Sequence, residues 1–402
     1  MIGLAYCDKA GRIFYDEKRE PLADGGIVRR VDDVELLPAP PGAVPMVLPA
    51  RHPRLRESVA HRRQTLAVML PAGYTRLLLP AYECDADAPA LPLFGYTFAC
   101  AIGEQLHVAA MRTDESEDWQ PRDFKPGQLE DLVEKRLKTA EQNRVLRQLS
   151  KCSLEYHCFT AQNVFLERGE AALPVSPTCN ARCVGCISEQ EPDSGVPSPQ
   201  ARIAEEMTAR ELAQIAIHHL ERVPDGIVSF GQGCEGEPLL RSVAIAKAIE
   251  LIRRTRANGT INLNTNGSLP LAMQRCIDAG LQSVRVSLNS FRPETYAAYY
   301  RPIGYDLNDV FASIRIASAA GLRVSLNLLT HPGVTDDVAE LEAMRAFLRT
   351  VRVDMIQTRT LNIDPEWYFE TVGRPAEVVG MREAIAEMRE AGVRVGNFTH
   401  TH

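Results

Sequence analysis

The sequence predicts an α/β protein whose parallel sheet follows a small β-rich N-terminal domain. Two observations carry this prediction: strand-like and helical runs alternate along the second half of the chain, and the connections between them are short. Such alternation requires parallel strands joined by right-handed crossovers. The sheet is therefore either open and doubly wound or closed into a full or partial (β/α)6 barrel of the TIM type. The six strand-like runs are LPVS (173–176), GIVSFG (226–231), TINLNT (260–265), SVRVSLN (283–289), RVSLNLL (323–329) and DMIQTRT (354–360).

Residues 1–126 are expected to form the β-rich N-terminal accessory domain. Short apolar runs in this segment are separated by turns rich in proline and glycine, such as LPAPPGAVP. A helical connector over 127–170 follows, and it includes one charged helix from about Gly127 to Leu149. Residues 171–402 then form the α/β core. The N-terminal domain is also a candidate for closing the lumen of a barrel against water.

Helix boundaries in the core are indicated by capping residues. Thr208 and Glu211 have the spacing of a capping box, in which each side chain binds a free backbone amide at the start of a helix. Three further helical stretches each end beside a glycine, and glycine can adopt the left-handed conformation that closes a helix. These stretches are 269–279 with Gly280, 307–320 with Gly321, and 380–391 with Gly392.

Composition restricts the class of protein. The chain has 402 residues, of which 45% are hydrophobic, and a formal net charge of −7, which argues against a nucleic-acid or acidic-membrane binder. No secretory signal and no uncharged run of about 20 residues is present, so we expect a cytoplasmic protein without a membrane span. In that reducing compartment, the ten cysteines are better explained as metal ligands, reactive thiols or buried apolar residues than as disulfides.

Three cysteines lie close together just after the first predicted strand. Cys179, Cys183 and Cys186 have C-x3-C-x2-C spacing on a loop, at the strand end where α/β proteins collect functional residues. Three local thiolates could bind three irons of a [4Fe–4S] cluster and leave the fourth iron open to a small molecule. A structural zinc ion requires a closed set of four ligands, and a disulfide leaves one cysteine over.

This spacing and position resemble the radical S-adenosylmethionine (SAM) superfamily over residues 171–400. The resemblance implies a (β/α)6 TIM-type barrel, full or partial, that binds a [4Fe–4S] cluster through the three cysteines together with SAM. The segment SFGQGCEGEPLL (229–240) resembles the family's GGE-type turn, whose backbone receives the amino group of SAM. Gly236 and Glu237 are the corresponding residues, and glycine there allows close approach of the backbone.

Two further segments extend the resemblance to other strands. LNTNG (263–267) resembles a segment in which Thr265 and Asn266 would donate hydrogen bonds to SAM. RVSLNS (285–290) interrupts an apolar parallel strand with polar residues, and strand alternation places Arg285, Ser287 and Asn289 on one side. By resemblance, Ser287 and Asn289 contact the ribose or the carboxylate of SAM.

The fifth and sixth strands supply candidate substrate residues. Ser325 and Asn327 alternate together, as do Gln357 and Arg359, and a polar lumen would satisfy their side chains. Asn327, Gln357 and Arg359 are therefore candidates for the catalytic or substrate-binding part of the site. Arg359 could bind a substrate carboxylate through two hydrogen bonds, or it could form a structural ion pair.

Gly185 departs from the family pattern, and a second group of cysteines is a candidate to extend the metal-binding part of the chain to residues 152–158. Gly185 stands directly before the last cysteine, where relatives commonly have an aromatic residue near the adenine of SAM. Another side chain must cover the adenine, or the loop packs differently. Cys152, His157 and Cys158 precede the first strand and are candidates for a second metal site, with buried free cysteines as the alternative.

The resemblance implies a reaction class and partners. One electron from a small donor such as flavodoxin or ferredoxin enters the cluster and cleaves SAM, and the resulting 5′-deoxyadenosyl radical abstracts hydrogen from a substrate carbon. Cofactor biosynthesis and peptide or protein modification are the candidate processes, so a peptide is one candidate substrate; no nucleic acid is expected. Two alternatives from other classes are a non-catalytic iron–sulfur electron-transfer protein and a zinc-stabilised α/β binding protein.

Overall fold

A computed structural model describes residues 1–114, 127–255, 258–360 and 362–398. The N-terminal part is built of short antiparallel strands, eight of which join in one sheet, as the β-rich sequence pattern predicts. Small apolar side chains from the inner face of this sheet form their own core. The strands are β1 (Gly3–Cys7), β2 (Ile13–Asp16), β3 (Ala23–Asp24), β4 (Val28–Arg29), β5 (Leu36–Pro38), β6 (Val44–Leu48), β7 (Arg51–Pro53), β8 (Gln64–Met69), β9 (Tyr74–Arg76), β10 (Leu79–Pro80), β11 (Tyr82–Cys84), β12 (Thr97–Ile102) and β13 (Gln105–Arg112).

Three helices connect this region to the parallel sheet: α1 (Gln128–Thr139), α2 (Arg144–Leu154) and α3 (Phe159–Leu166). The prediction of one helix over 127–149 is wrong, because Asn143 begins a new helix by accepting a hydrogen bond from the Leu146 amide at 3.0 Å. The connector helices share one hydrophobic core with the parallel sheet. The predicted domain boundary at residue 126 lies outside the described residues, and the division into three domains stays a prediction.

The second half of the chain alternates strands and helices. All neighbouring strands pair in parallel and follow one another in chain order. The strands are β14 (Glu170–Leu173), β15 (Ile227–Phe230), β16 (Thr260–Thr265), β17 (Ser283–Leu288), β18 (Arg323–Thr330), β19 (Met355–Thr360) and β20 (Arg394–Gly396). The helices are α4 (Ala209–Leu220), α5 (Ser242–Arg254), α6 (Pro270–Asp278), α7 (Pro293–Tyr300), α8 (Leu307–Ala319), α9 (Val338–Leu348), α10 (Pro365–Val372) and α11 (Met381–Glu390).

Sequential parallel order distinguishes a barrel from a doubly wound sheet, in which the strand order reverses. Within the described ranges, β14 and β20 do not pair with each other, so the barrel is partial. The three-residue strand β20 adds a seventh strand to the six predicted ones. The first strand ends at Leu173, so the run LPVS mostly belongs to the loop after it.

The predicted helix boundaries are confirmed. Thr208 and Glu211 form the capping box at the start of α4. Gly280, Gly321 and Gly392 follow α6, α8 and α11 with φ angles of 107°, 79° and 80°. Throughout the described ranges, no helix is both long enough and apolar enough to span a lipid bilayer.

The N-terminal sheet packs against the carboxyl ends of the last strands of the barrel. Thr75 in β9 and Thr358 in β19 are joined through their hydroxyl groups at 2.7 Å. A buried ion pair joins Arg51 in β7 to Asp364 at the start of α10, at 2.9 Å. The two backbones approach so closely at Gly26 that a Cβ there would lie 2.5 Å from the Cα of Gly333. The N-terminal part is therefore fixed to one side of the barrel.

Candidate active site

One cavity of about 420 Å³ opens at the carboxyl ends of the strands, within the roughly 300–1,000 Å³ typical of small-molecule sites. Its lining includes the loop residues Cys179, Cys183, Cys186, Gly236 and Glu237. The strand side of the lining includes Thr265, Asn266, Ser287, Asn327 and Arg359. The structure thus brings most of the residues predicted from the sequence to a single cavity. The described lining residues lie between 160 and 359, so the N-terminal sheet supports this cavity without lining it.

The cysteine loop is fastened to the turn after β15 by backbone hydrogen bonds. The amides of Gly236 and Glu237 donate to the carbonyls of Ser176 and Thr178, each at 2.8 Å. The buried carboxylate of Glu235 accepts hydrogen bonds from the amides of Val175 and Ser176, both at 2.7 Å. Burial raises the pKa of Glu235 to about 8. Glu235 is not among the predicted site residues, although it lies directly before Gly236 in the segment that resembles the GGE-type turn.

Gly236 is required by the space around it. A Cβ at this position would lie 1.9 Å from the carbonyl oxygen of Thr178 and 2.9 Å from the amide nitrogen of Cys179. Both neighbours are backbone atoms, which cannot move aside as the end of a side chain can. No other amino acid fits without displacing the cysteine loop, so the turn and the loop form one unit.

The three cysteines suit a cluster better than a single ion. In the part of the chain that the structure describes, no three His, Cys, Asp or Glu side chains converge on a point where one metal ion could bind. A [4Fe–4S] cluster does not require such convergence, because each thiolate binds a different iron. Burial raises the pKa of Cys179 to about 11 and that of Cys183 well above its ordinary value, so ionised thiols there need bound metal.

The predicted residues Glu237, Thr265 and Asn266 bind one another. The Glu237 carboxylate accepts hydrogen bonds from the Thr265 hydroxyl and from the Asn266 amide, the latter at 2.8 Å. Burial raises the pKa of Glu237 to about 7. The Asn266 side chain donates to the side-chain oxygen of Asn180 at 2.9 Å, which links the third strand to the cysteine loop. These side chains therefore shape the cavity wall by holding its segments together.

The fourth strand is only partly as predicted. Arg285 and Ser287 line the cavity, but Asn289 does not. Strand β17 ends at Leu288, so the alternation that placed Asn289 on the same side stops one residue too early. The buried Asn289 side chain instead donates to the Tyr368 hydroxyl at 3.2 Å and to the Thr295 carbonyl at 3.4 Å. Asn289 is thus placed to support the structure behind the cavity.

The floor of the cavity is a buried ion pair across the barrel. Glu170, the first residue of β14, accepts hydrogen bonds from both terminal nitrogens of Arg285 at 2.7 and 2.9 Å. Ser229 in β15 also donates to Glu170, at 2.5 Å. Arg285 holds the pKa of Glu170 below its ordinary value although burial opposes this. Glu170 was missed because the first strand was predicted to begin after it.

The candidate substrate residues lie on the neighbouring strands β18 and β19. Asn327 and Arg359 line the cavity, whereas Gln357 is fully buried beneath it. Arg359 donates to the side-chain oxygen of Gln357 at 2.8 Å and approaches that of Asn327 at 3.5 Å. Gln357 is therefore placed to orient Arg359, and Arg359 is the member of this group that presents a charge to the cavity.

The absence of a side chain at position 185 is explained by Tyr299, which packs against this position from α7. A Cβ on Gly185 would lie 2.8 Å from the hydroxyl oxygen of Tyr299, which is buried at the end of α7. The backbone amide of Val184 also donates to the carbonyl of Tyr299 at 3.0 Å. The next residue, Tyr300, lines the cavity. Aromatic side chains thus reach the cysteine loop from α7, which sequence reasoning did not detect.

The candidates for a second metal site do not form one in the described residues. Cys152 is buried in α2, where its sulfur accepts a hydrogen bond from Gln148 Nε2 at 3.2 Å. His157 is exposed, and Cys158 contacts the hydroxyl of Thr160 at 3.3 Å. Both cysteines are free thiols, Cys152 buried and Cys158 partly buried.

Comparison with known proteins extends these observations. Residues 173–347 match the Radical SAM superfamily. GTP 3',8-cyclase of Heliobacterium modesticaldum is 30% identical over 228 residues, which cover 56% of this chain and 63% of that protein. FeMo cofactor biosynthesis protein NifB of Klebsiella pneumoniae is 28% identical over 184 residues, which cover 41% of this chain and 37% of that protein. Among solved structures, a radical SAM methyltransferase from Sphaerobacter thermophilus gives a TM-score of 0.40 at 18% identity, covering 56% of this chain and 64% of that one.

The chain spans less than two thirds of the length of these curated relatives. The matched segment nevertheless contains the cysteine loop, the GGE-like turn and the strands that carry Thr265 and Ser287. Gly236, which has no room for a side chain, and three cysteines that do not converge on one ion fit the cofactors of this superfamily, a [4Fe–4S] cluster and SAM. Residues 173–347 are therefore identified as a radical SAM domain, the part of this chain that matches the superfamily.

Proposed function

We propose that this protein cleaves SAM reductively and begins radical chemistry by removing hydrogen from a bound substrate. The observation that carries the proposal is the shared cavity, which has Cys179, Cys183 and Cys186 on one wall and polar strand ends on the other. A non-catalytic electron-transfer protein would not need such a cavity, and a zinc-stabilised protein would need ligands that converge on one ion.

The chain's own residues would hold the cofactors and shape the reaction space. Cys179, Cys183 and Cys186 would bind the cluster, and the backbone beside Gly236 would receive the amino group of SAM. When bound, the cluster and SAM supply the electron transfer and the radical. Ser287 lines the cavity on the same strand as Arg285 and is proposed to contact SAM.

The substrate class is narrowed by the relatives. GTP 3',8-cyclase and FeMo cofactor biosynthesis protein NifB are the similar proteins described above, and both names favour cofactor biosynthesis. Peptide or protein modification is the second candidate process, because the N-terminal sheet is an additional surface on which a peptide could be recognised. Both remain proposals for this chain.

Electrons are proposed to enter beside the cysteine loop, from a small donor such as flavodoxin or ferredoxin. A second cavity of about 380 Å³ is lined by Cys183 and Cys186 together with Arg182, Arg301 and Trp367. Arg301 pairs there with Glu191 at 3.4 Å and Arg202 pairs with Glu189, so the exposed Arg182 carries the excess positive charge of this lining. An acidic partner would approach such a surface favourably.

The test is anaerobic purification followed by reconstitution with iron and sulfide. We expect about four irons and four sulfides per chain, a brown protein, and 5′-deoxyadenosine when SAM and dithionite are added. Cys183→Ala should lose both cluster and product, whereas Cys84→Ala, which changes an exposed cysteine in β11, should retain both.

Three outcomes would contradict the proposal. A colourless protein with stoichiometric zinc would support the zinc-stabilised alternative. A brown protein that never forms 5′-deoxyadenosine would support the electron-transfer alternative. A Cys183→Ala protein that still cleaves SAM would show that the cluster ligands are assigned wrongly.

A further inference from the structure

Arg285 in β17 and Arg359 in β19 both line the cavity, but the structure pairs a carboxylate with the first of them. Arg285 is held by Glu170 through two hydrogen bonds of 2.7 and 2.9 Å, and both side chains are buried. A bidentate pair of this kind neutralises the guanidinium where it lies. Among the described residues, Arg359 in contrast has as hydrogen-bond acceptors the neutral side-chain amides of Gln357 and Asn327, at 2.8 and 3.5 Å.

The surroundings of Arg359 leave its charge poorly compensated. Among the residues that the structure describes, none places a carboxylate oxygen within the 4.0 Å salt-bridge distance of its guanidinium. Glu170 and Asp114 act on it only from farther away, and Arg285 repels it. Burial and this repulsion lower the pKa of Arg359 to about 10, so the group still carries its charge at neutral pH.

An uncompensated buried charge is costly, because desolvation of an ion is repaid only by a close partner of opposite charge. Arg359 as a residue is partly exposed, and it lines the cavity. Gln357 fixes its orientation from below. A planar fork of donors held in this way matches the paired oxygens of a carboxylate or a phosphate.

SAM could provide a carboxylate, but its expected position differs. The cysteine loop is bound by the Gly236 and Glu237 amides of the turn after β15, whereas Arg359 lies near the end of β19 and hydrogen bonds with Gln357 and Asn327 of β19 and β18. In the proposed function, the carboxylate and the amino group of SAM belong beside the open iron. The region at Arg359 then remains for the other molecule in the cavity, which is the substrate.

We propose that the substrate carries an oxyanion, a carboxylate or a phosphate, that pairs with Arg359 and so places the reacting carbon opposite the cysteine loop. This inference rests on the proposed function, because it assigns the second occupant of the same cavity. It assigns no bond-breaking role to Arg359, which is a substrate-binding residue. Asn327 completes the binding surface next to it.

The experiment measures anion binding to the reconstituted protein saturated with SAM, in chloride-free buffer, by isothermal titration. Inorganic phosphate and acetate are the two probes, and they distinguish the two sources of the oxyanion. We expect saturable binding of at least one probe by the wild-type protein. Arg359→Gln should weaken it about tenfold or more, and Arg359→Lys should weaken it less because the charge remains. Arg345→Gln, at an exposed arginine of α9, is the matched control and should bind as wild type.

The same variants separate this inference from the proposed function. Binding of SAM and formation of 5′-deoxyadenosine with dithionite are measured for wild type, for the control Arg345→Gln, which should match wild type, and for Arg359→Gln. Loss of SAM binding in that variant would assign Arg359 to SAM and overturn the inference. Absence of saturable binding of both probes, or equal binding by wild type and Arg359→Gln, would also overturn it. If the wild-type protein forms no 5′-deoxyadenosine, the proposed function fails, whatever the anions do.

Discussion

Arg202 donates a hydrogen bond to the sulfur of Cys186, with 3.5 Å between Nη2 and Sγ. Its Nε also donates to the hydroxyl of Ser188 at 3.3 Å, and an ion pair with Glu189 holds the other terminal nitrogen. A donor to a cluster sulfur stabilises the more negative, reduced state of the cluster. Arg202 is therefore placed to tune the reduction potential, although its sequence position 16 residues after Cys186 gave no signal of it.

Replacing Arg202 should make the cluster harder to reduce. We expect Arg202→Gln to lower the reduction potential by about 60 mV, which corresponds to roughly a tenfold change for a one-electron couple. A redox titration followed by electron paramagnetic resonance measures this shift. Arg241→Gln, which changes an arginine paired with Glu206 outside the cavity lining, should leave the potential unchanged. An unaltered potential in Arg202→Gln would mean that the contact does not affect the reduced cluster.

Adding one methyl group at Gly236 should disrupt the site. Its Cβ would lie 1.9 Å from the backbone oxygen of Thr178, so we expect Gly236→Ala to reduce the free energy of unfolding by about 1–3 kcal/mol and to lose SAM cleavage. Gly233→Ala is the control, because its Cβ would meet only the ends of the Ile187 and Gln200 side chains. Urea unfolding and the assay for 5′-deoxyadenosine compare the two variants, and equal effects would contradict the steric argument.

The contact between Gly185 and Tyr299 can be tested by a double-mutant cycle. Gly185→Ala should be destabilising because its Cβ would lie 2.8 Å from the Tyr299 hydroxyl. Tyr299→Phe removes that oxygen, so the double variant should be more stable than the sum of the single effects predicts. We expect a coupling free energy of about 0.5–3 kcal/mol from thermal or urea unfolding. Simple additivity would show that the hydroxyl is not what excludes a side chain at position 185.

The stability of the protein should depend on pH through the buried carboxyl group of Glu340, which does not line the cavity. Burial raises the pKa of Glu340 in α9 to about 7, above the value of about 4.3 for an exposed glutamate. The folded state then binds more protons than the unfolded state between these values, so the free energy of unfolding falls as the pH rises through this window. We expect this one carboxyl to contribute a loss of about 1–3 kcal/mol.

Glu340→Gln should remove most of that loss, because the amide cannot ionise. Its hydrogen bonds with Ser290 and the Phe291 amide identify the group being tested. Urea unfolding at several pH values between about 4.5 and 7.5 measures the slope. The exposed neighbour Glu342→Gln is the control. A slope identical in wild type and Glu340→Gln would contradict the assignment.

Breaking the buried ion pair between Arg51 and Asp364 should lower the free energy of unfolding more than breaking a pair whose arginine is exposed. Arg51→Met leaves the Asp364 carboxylate buried without its partner, and we expect a loss of about 3–5 kcal/mol in the free energy of unfolding. Arg374→Met breaks the pair with Asp24, whose arginine is 47% exposed, and should cost less than about 1 kcal/mol. Similar losses measured by urea unfolding would show that burial does not determine the cost.

The features that the sequence predicted are those set by local spacing. The three cysteines, Gly236 and the capping box at Thr208 depend on neighbours within a few residues, so their places could be read directly. Asn289 was misplaced because its prediction extended strand alternation one residue beyond the end of β17.

The features that were missed depend on contacts between distant segments. Glu170 binds Arg285 across 115 positions of sequence, and no local pattern identifies that partner. Tyr299 reaches Gly185 from α7, and the reason for the glycine is visible only when the two elements are packed. Spacing therefore predicts which loops carry the chemistry, whereas the charge balance of the lumen requires the fold.

The attachment of the N-terminal sheet has a consequence for dissection of the protein. Removing residues 1–114 would leave the Asp364 carboxylate without Arg51 and would uncover the Thr358 hydroxyl and the Asn397 side chain, which now bind Thr75 and the Gly73 amide. A fragment that lacks residues 1–114 would thus expose these polar groups beside the ends of the last strands. The barrel and its N-terminal sheet should therefore be kept together when segments of this chain are exchanged with those of a homologue.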